Sequence, residues 1–498
     1  MSAAGLALSL CEVGAILALA GLGGFAVAGA FLPRGPAYFA ERIGWGWAIG
    51  LLLIVLDVVI CFALGVRPGP LPVVLFFLVA TLISRKFSLP LLPRGRRGVG
   101  GAAPRLASAP AAAEGRASRS ERPAGRGEGE PSVRASLVAL LFLSLALLGT
   151  ALYLLRALTE PIWSNDFLAI WGLKGKTLFG DAGIPTRLFD SPSFAFSHPE
   201  YPIGLPLLYS GVAFLLGRWE DHALALLFPF WLVATLFLLY GWLRRRGASR
   251  LLAFAAVALL SHFEQLYSSF LTGMAEVPIS FAFVLVGTAL SDALDRTDAG
   301  AVRRLALASL VASGTKNEGL FLVGTALALL LFSAWRRRTV RQDAAAAAAL
   351  FGPALLCTGL HRLALGNHPL RDFDFGFLSR PGLATRVWET IRAEAGLFQS
   401  PSWLVLFGFL ALLLALGRRA RHGDRLLVLA GASLGAYLVL PVFCVQGPLW
   451  FVTWTMGRAV GALVPLVAAG ATARLAWLFS VDTSPSPAAG AARGLPSP

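Results

Sequence analysis

Apolar runs of about twenty residues recur along the whole chain, each closed by a cluster of Arg, Pro or Gly. A run of that length spans the hydrocarbon core of a bilayer when helical, and helices satisfy their own backbone hydrogen bonds there. About thirteen emerge. They lie near 5–32, 47–66, 70–84, 135–157, 222–243, 250–268, 274–291, 303–315, 319–335, 343–364, 402–417, 425–445 and 452–476. The expected fold is an all-α polytopic membrane protein of about thirteen transmembrane helices. Composition agrees: 56% of residues are hydrophobic and 14% charged, against roughly 25% charged in an average globular protein. A soluble enzyme, a disordered regulator and a secreted cysteine scaffold are all excluded.

The polar punctuation divides the chain into four parts. Residues 1–84 form an N-terminal membrane block of about three helices. Residues 85–134 are rich in Ala, Gly, Pro, Ser and Arg, carry eleven cations against four Glu, and read as a disordered basic cytoplasmic linker. Residues 135–480 hold the remaining runs, and 481–498 read as a disordered tail. The N-terminus lacks a basic n-region and a cleavage site, so it reads as a retained membrane segment.

The net charge of +16 could suggest nucleic acid, but its distribution does not. Outside the linker, most cations sit in short clusters between apolar runs: Arg244 to Arg246, Arg303 and Arg304, Arg336 to Arg341, and Arg418 to Arg425. Such clusters hold loops on the cytoplasmic side. Aromatic residues interleaved for base stacking are sparse, so no nucleic-acid partner is expected. A further run at 203–217 decides the topology. If it crossed the membrane, Arg244 to Arg246 would fall outside; if it lies along the interface or re-enters, every later Arg cluster falls inside. The second arrangement satisfies the charge rule. It gathers 158–202, 269–275, 314–318, 365–401 and 446–451 on the outer face, where polar loops can meet a water-accessible cavity.

The candidate chemistry lies in those segments. Asp166 follows Glu160-Pro-Ile-Trp-Ser-Asn165 just beyond the helix at 135–157, and reads either as a reactive carboxylate near the membrane surface or as a helix N-cap. The same loop ends in His198-Pro-Glu200-Tyr201-Pro202, which reads as a ligand-contacting turn or an ordinary Pro-punctuated one. Trp163, Trp171, Phe194 and Tyr201 suit a sugar-stacking wall or an interfacial aromatic belt. Glu276 opens one apolar run, and Lys316-Asn-Glu318-Gly319 interrupts another. Charges at bilayer depth are costly, so Lys316 and Glu276 suit either a phosphate site or a mutual ion pair. Arg458 starts the last run at the outer interface, where an Arg is uncommon and favours an anionic partner. Asp57 and Glu12 read as structural, pairing across the first helices if they pair at all. Cys11, Cys61, Cys357 and Cys444 lack metal or redox spacing and read as buried thiols.

In this order, Asp166, the His198 to Pro202 run, Glu276, Thr315 to Gly319 and Arg458 resemble the membrane-embedded GT-C glycosyltransferases. The likeness extends to the ArnT-like, protein-mannosyltransferase-like and Rgt-type enzymes, and covers roughly 134–479. It implies a GT-C-like core with amphipathic helices in the first large outer loop, in the inner membrane of a bacterial cell, with the active site facing outward. It further implies transfer of a sugar from a polyprenyl-phosphate donor to a lipid, glycan or protein acceptor, with inversion. Asp166 would be the general base; Lys316 and Arg458 would hold the donor phosphate, and His198, Glu200, Tyr201, Glu276 and Glu318 would contact substrate. No definite cofactor is implied, a divalent cation is compatible with the family, and no metal ligand is assigned. Asn165 stands where many relatives have a second acidic residue, which weakens a divalent-cation site there. Competing classes are a lipid or glycan transporter, which would carry charges along a transmembrane path, and a glycan ligase of the cell envelope.

Overall fold

The computed structural model describes residues 3–87, 133–398 and 423–481, apart from 34, 264–265, 267, 269–270, 296–299, 367 and 369–370. The basic stretch assigned to a linker, the apolar run 402–417 and the C-terminal tail fall wholly or almost wholly outside them. All regular structure described is helical, save one isolated bridge between Phe373 and Cys444. The longer helices are α1 (Ala3–Ala28), α2 (Phe39–Ala63), α3 (Pro70–Phe87), α4 (Val133–Thr159), α5 (Gly172–Asp181), α6 (Gly204–Leu216), α7 (Leu227–Arg245) and α8 (Arg250–Ser261). They continue as α9 (Glu276–Asp295), α10 (Ala301–Thr315), α11 (Asn317–Arg337), α12 (Val340–Leu365), α13 (Leu383–Phe398), α14 (Gly423–Val439) and α15 (Val464–Val481).

Eight described helices are long and apolar enough to cross a membrane, and a ninth span forms if Pro448–Gly461 and Val464–Leu478, bent by 43°, count as one. The chain is therefore a multi-pass membrane protein. Several of the thirteen apolar runs are helices too short for a bilayer. Apolar Pro70–Ser84, α8 and α10 have 15, 12 and 15 residues, or roughly 18 to 23 Å against about 30 Å of hydrocarbon. Hydropathy reports where apolar residues are, and not where the helix stops. In 250–268 the helix ends after Ser261, and α10 ends where Lys316 turns extended at φ −158° and ψ 158°.

Helix α6, the run that decided the topology, has only 13 residues. It packs against α2 and α5, as a helix lying within one end of the bundle would. The loop before it carries α5 and the short helices Thr186–Phe189 and Pro192–Ser197, so the first large loop is helical as expected.

Residues 1–84 are not a separate body. Glycines let α2 approach both its neighbours: a Cβ on Gly24 would lie 1.9 Å from the Gly46 oxygen, and one on Gly44 would meet Leu238 of α7 at 2.6 Å. Small residues allow such close helix packing where lipid supplies no hydrophobic drive. Gly24→Ala is expected to cost about 1–3 kcal/mol through overpacking, read as a lowered unfolding midpoint of the detergent-solubilised protein. An unchanged midpoint would mean a looser hairpin than the backbone spacing implies.

Helix α9 is the axis of the bundle. Its candidate span is buried throughout, and it packs against α7, α10, α11, α14 and α15. Its 20 residues cover about 30 Å, with Glu276 at one end and Asp292 and Asp295 at the other. Asp292 accepts from Arg245 at 2.6 Å, Arg246 at 2.5 Å and Arg304 at 2.9 Å. Arg245 also clasps Glu41 through two hydrogen bonds of 2.6 and 3.0 Å, and Asp295 joins Arg246 to Arg425. Several of these arginines are thus not solvated loop residues. They are packed against carboxylates, with Arg304 wholly buried.

Candidate functional site

The opposite end of α9 collects the residues that the sequence singles out. After α4 the chain runs without regular structure through Pro161 to Ser164, where the buried Ser164 hydroxyl donates to the Thr272 carbonyl at 3.0 Å. Gly273, at φ 87°, lets the two strands of chain close: a Cβ there would lie 2.5 Å from Ile162 and 2.8 Å from Phe167. That contact fixes Asp166 beside the start of α9. Asp166 makes no capping hydrogen bond, so its side chain is not an N-cap. Its Oδ2 accepts from Arg458 Nη1 at 2.7 Å, 292 residues along the chain.

Arg458 also reaches Glu276 Oε1 at 3.4 Å and Met274 Sδ at 3.4 Å, and its Nε donates to the Trp454 carbonyl. Lys316, in the extended break between α10 and α11, donates to Glu276 Oε1 at 3.1 Å and pairs with Glu318 at 2.7 Å. The mutual ion pair expected as one reading of Lys316 and Glu276 is present, and Glu318 extends it. Burial opposes the Lys316 cation, but the charges of Glu276 and Glu318 outweigh burial and hold its pKa above the ordinary lysine value. The other Glu276 oxygen, Oε2, is buried without a hydrogen-bond partner.

Both members of the Asp166–Arg458 pair adjoin π-helical turns, Phe167–Trp171 and Val452–Met456. Such turns widen a helix locally and concentrate at functional sites. Exposure separates the cluster into two parts. The side chains of Asp166 and Arg458 are 26% and 24% exposed, whereas Glu276 and Lys316 are 4% and 8% exposed. Glu318, at 20%, is exposed to nearly the same degree as Arg458.

Tyr201 borders this cluster, since burial and then the charges of Asp372, Glu318 and Glu200 raise its pKa. It belongs to a second group. His198, in a left-handed turn at φ 53°, places Nδ1 2.9 Å from Glu200 Oε1 and 3.7 Å from Asp372 Oδ2. The Tyr201 hydroxyl donates to Asp372 at 3.2 Å, and the Tyr201 ring stacks on His198 and Trp171. Beneath them the buried Lys174 donates to the His198 carbonyl at 2.5 Å. Burial lowers its pKa to about 7, against the opposing charge of Glu200. Burial also raises the Glu200 pKa, but the His198 hydrogen bond and nearby positive charge outweigh it and leave the carboxyl below its usual range.

The fold thus draws the eight expected residues into two neighbouring groups, Asp166, Glu276, Lys316, Glu318 and Arg458 in one and His198, Glu200 and Tyr201 in the other. Asp372 and Lys174 were not singled out by the sequence. Asp372 lies in a loop expected on the same face, and its place beside Arg371 and Asp374 in a polar stretch was the available signal. Trp171 and Phe194 are buried, so of the four aromatics considered for a wall or belt only Trp163 is largely exposed. Asp57 and Glu12 do not pair with each other: Glu12 meets Arg218 at 2.6 Å, and Asp57 lies beside the Cys61 thiol. The four cysteines form no disulfide.

The first-loop position lacks the paired carboxylates that would favour a cation there. Asn165 is neutral, and the positive charge beside Asp166 is Arg458. Compared with known proteins, the chain matches no family model, no curated protein and no solved structure.

Proposed function

We propose that this protein is a membrane-embedded glycosyltransferase that moves a sugar from a polyprenyl-phosphate donor to a hydroxyl of a lipid, glycan or protein acceptor. The observation that carries the proposal is the convergence of Asp166 and Arg458, both partly accessible, beside the buried Glu276 and Lys316 at one end of the bundle. A carboxylate and a guanidinium at the membrane edge supply the two functions that the transfer needs. Asp166 accepts the proton of the attacking hydroxyl as its oxygen bonds to the anomeric carbon from the face opposite the phosphate. The bond from that carbon to the phosphate oxygen breaks, and the polyprenyl phosphate leaves with the electron pair against Arg458 and Lys316.

The ion pairs give the reaction an order. Three carboxylates face two cations, so a donor phosphate binds Arg458 by displacing Asp166 from it. Asp166 becomes a competent base only once the donor is seated.

Membrane orientation follows from charge. Arg244 to Arg246, Arg304 and Arg425 cluster around the Asp292 end of α9, which the positive-inside rule places in the cytoplasm. The Asp166 end then faces outward, in a bacterial inner membrane, where nucleotide sugars are not supplied. The residues of α9 between Val277 and Ser291 carry no charge, which disfavours a transporter with a polar path along this axis.

The test offers purified full-length protein in lipid nanodiscs either a polyprenyl-phosphate sugar or a nucleotide sugar, with candidate acceptors drawn from glycan profiling of a deletion strain. Turnover is expected with the lipid-linked donor alone. Turnover with a nucleotide sugar and with no lipid-linked donor would reject the mechanism.

A further inference from the structure

We propose that His198, Glu200 and Asp372 form a binding site for a divalent transition-metal ion of the zinc class. One ligand atom from each lies within 4.8 Å of the others, and they are the only such trio of ligand-type side chains among the described residues. The closer separations are 2.9 Å from His198 Nδ1 to Glu200 and 3.7 Å to Asp372. Tetrahedral coordination with bonds of about 2.0–2.2 Å sets neighbouring ligand atoms roughly 3.3–3.6 Å apart, so small side-chain shifts bring all three onto one ion.

A second, independent observation points to a missing positive partner. The Glu200 side chain is 2% exposed, and its Oε2 is buried with no hydrogen-bond partner. A buried carboxylate oxygen without a partner is costly, and a cation bound by this carboxylate removes the deficit. The surroundings hold the remaining ligand in place. The Tyr201 hydroxyl and the Gln446 side-chain amide both donate to Asp372, at 3.2 and 3.3 Å. Hydrogen bonds of this kind orient metal ligands. The nearby cation, Lys174, is engaged with the His198 carbonyl and does not offset both carboxylates.

The donor set selects the ion. An imidazole with two carboxylates suits Zn²⁺ or Mn²⁺ more than Mg²⁺ or Ca²⁺, which favour oxygen alone. Three protein ligands leave a fourth position for water or a substrate oxygen. His198 and Glu200 belong to the loop before α6, whereas Asp372 belongs to the one between α12 and α13. The ion would therefore clamp two loops at the border of the Asp166 cluster. This site stands whether or not the protein transfers sugars.

The experiment uses untagged full-length protein in detergent, stripped with chelator and then titrated with ZnCl₂ and separately with MgCl₂. Calorimetry and elemental analysis measure binding. One Zn²⁺ per chain is expected, with little response to Mg²⁺ and a higher unfolding temperature when Zn²⁺ is added. His198→Ala and Asp372→Asn should each weaken Zn²⁺ by more than about a hundredfold, beyond the usual effect of losing an outer hydrogen bond, while Glu389→Gln, at an exposed position on α13, leaves binding unchanged. Asp372 is partly exposed, so its Asn variant tests the site should His198→Ala fail to fold. No Zn²⁺ bound by the stripped wild type, equal binding in Asp372→Asn, or equal affinity for Mg²⁺ would each overturn the assignment.

Discussion

Asp166→Asn is expected to lower sugar transfer by about a hundredfold to ten-thousandfold, the usual cost of losing a general base, with the protein still inserted and folded. Asparagine keeps an oxygen that can accept from Arg458, so the Phe167–Trp171 turn and the bent C-terminal span retain their contact. Arg458 is not stranded either, because Glu276 Oε1 remains 3.4 Å from it. What disappears is the negative charge that, in the proposed reaction, draws the proton from the acceptor hydroxyl. The check is the transfer rate of purified variant and wild type at saturating donor, beside their unfolding midpoints. More than a tenth of wild-type turnover in the folded variant would remove Asp166 from the role.

Lys316→Ala is expected to act first on folding. The sequence leaves Lys316 between a phosphate site and an ion pair with Glu276, and the resemblance implies the first. Its ammonium is buried between Glu276 and Glu318, so its loss acts on stability whatever it does to donor binding. Removing one partner of a buried charge pair typically costs about 3–5 kcal/mol, since the other is left uncompensated. A large drop in unfolding midpoint and in yield of folded protein should follow. Glu276→Gln in the same chain removes the orphaned charge and should recover part of the loss, with a coupling energy of about 0.5–3 kcal/mol in the double-mutant cycle. Wild-type stability in Lys316→Ala would show that the buried pair contributes nothing. Arg458→Ala is the cleaner probe of donor binding, because that side chain is more exposed and its removal strands less charge.

The membrane class of the protein is legible from apolar run length alone, because bilayer thickness demands it. Span boundaries are less so: the helices at 250–268 and 303–315 end early, at a turn after Ser261 and at the extended Lys316. The group around Glu276 is legible because a charge beside an apolar run is costly without a partner, and Glu276, Lys316 and Arg458 each stand at such an edge. The Lys316–Glu276 pair is legible as one reading, but the Asp166–Arg458 contact is not, because those two meet only through folding of the intervening chain. Asp292 shows the opposite failure. It lies near the end of an apolar run and reads as an ordinary polar terminus, yet it receives three arginines from two separate segments. Asp372 was missed for a similar reason: its neighbours His198 and Tyr201 come from a distant loop, and no local spacing announces them.

The burial of α9 also constrains how the protein is made. The arginines of α7 precede α9 in synthesis, so Asp292 can be neutralised as soon as α9 enters the membrane. The other end has to wait. Lys316 arrives with the next hairpin, Arg458 near the end of the chain, and the Ser280 hydroxyl finds its acceptor only at Ala462. Until Arg458 on the short helix Gly457–Gly461 is in place, one side of α9 faces lipid or the insertion machinery with Glu276 incompletely paired. A chain cut short before that helix would present a polar flank within the bilayer, the kind of defect that membrane quality-control proteases can recognise. Assembly of the Asp166–Arg458 pair therefore comes late, close to completion of the bundle.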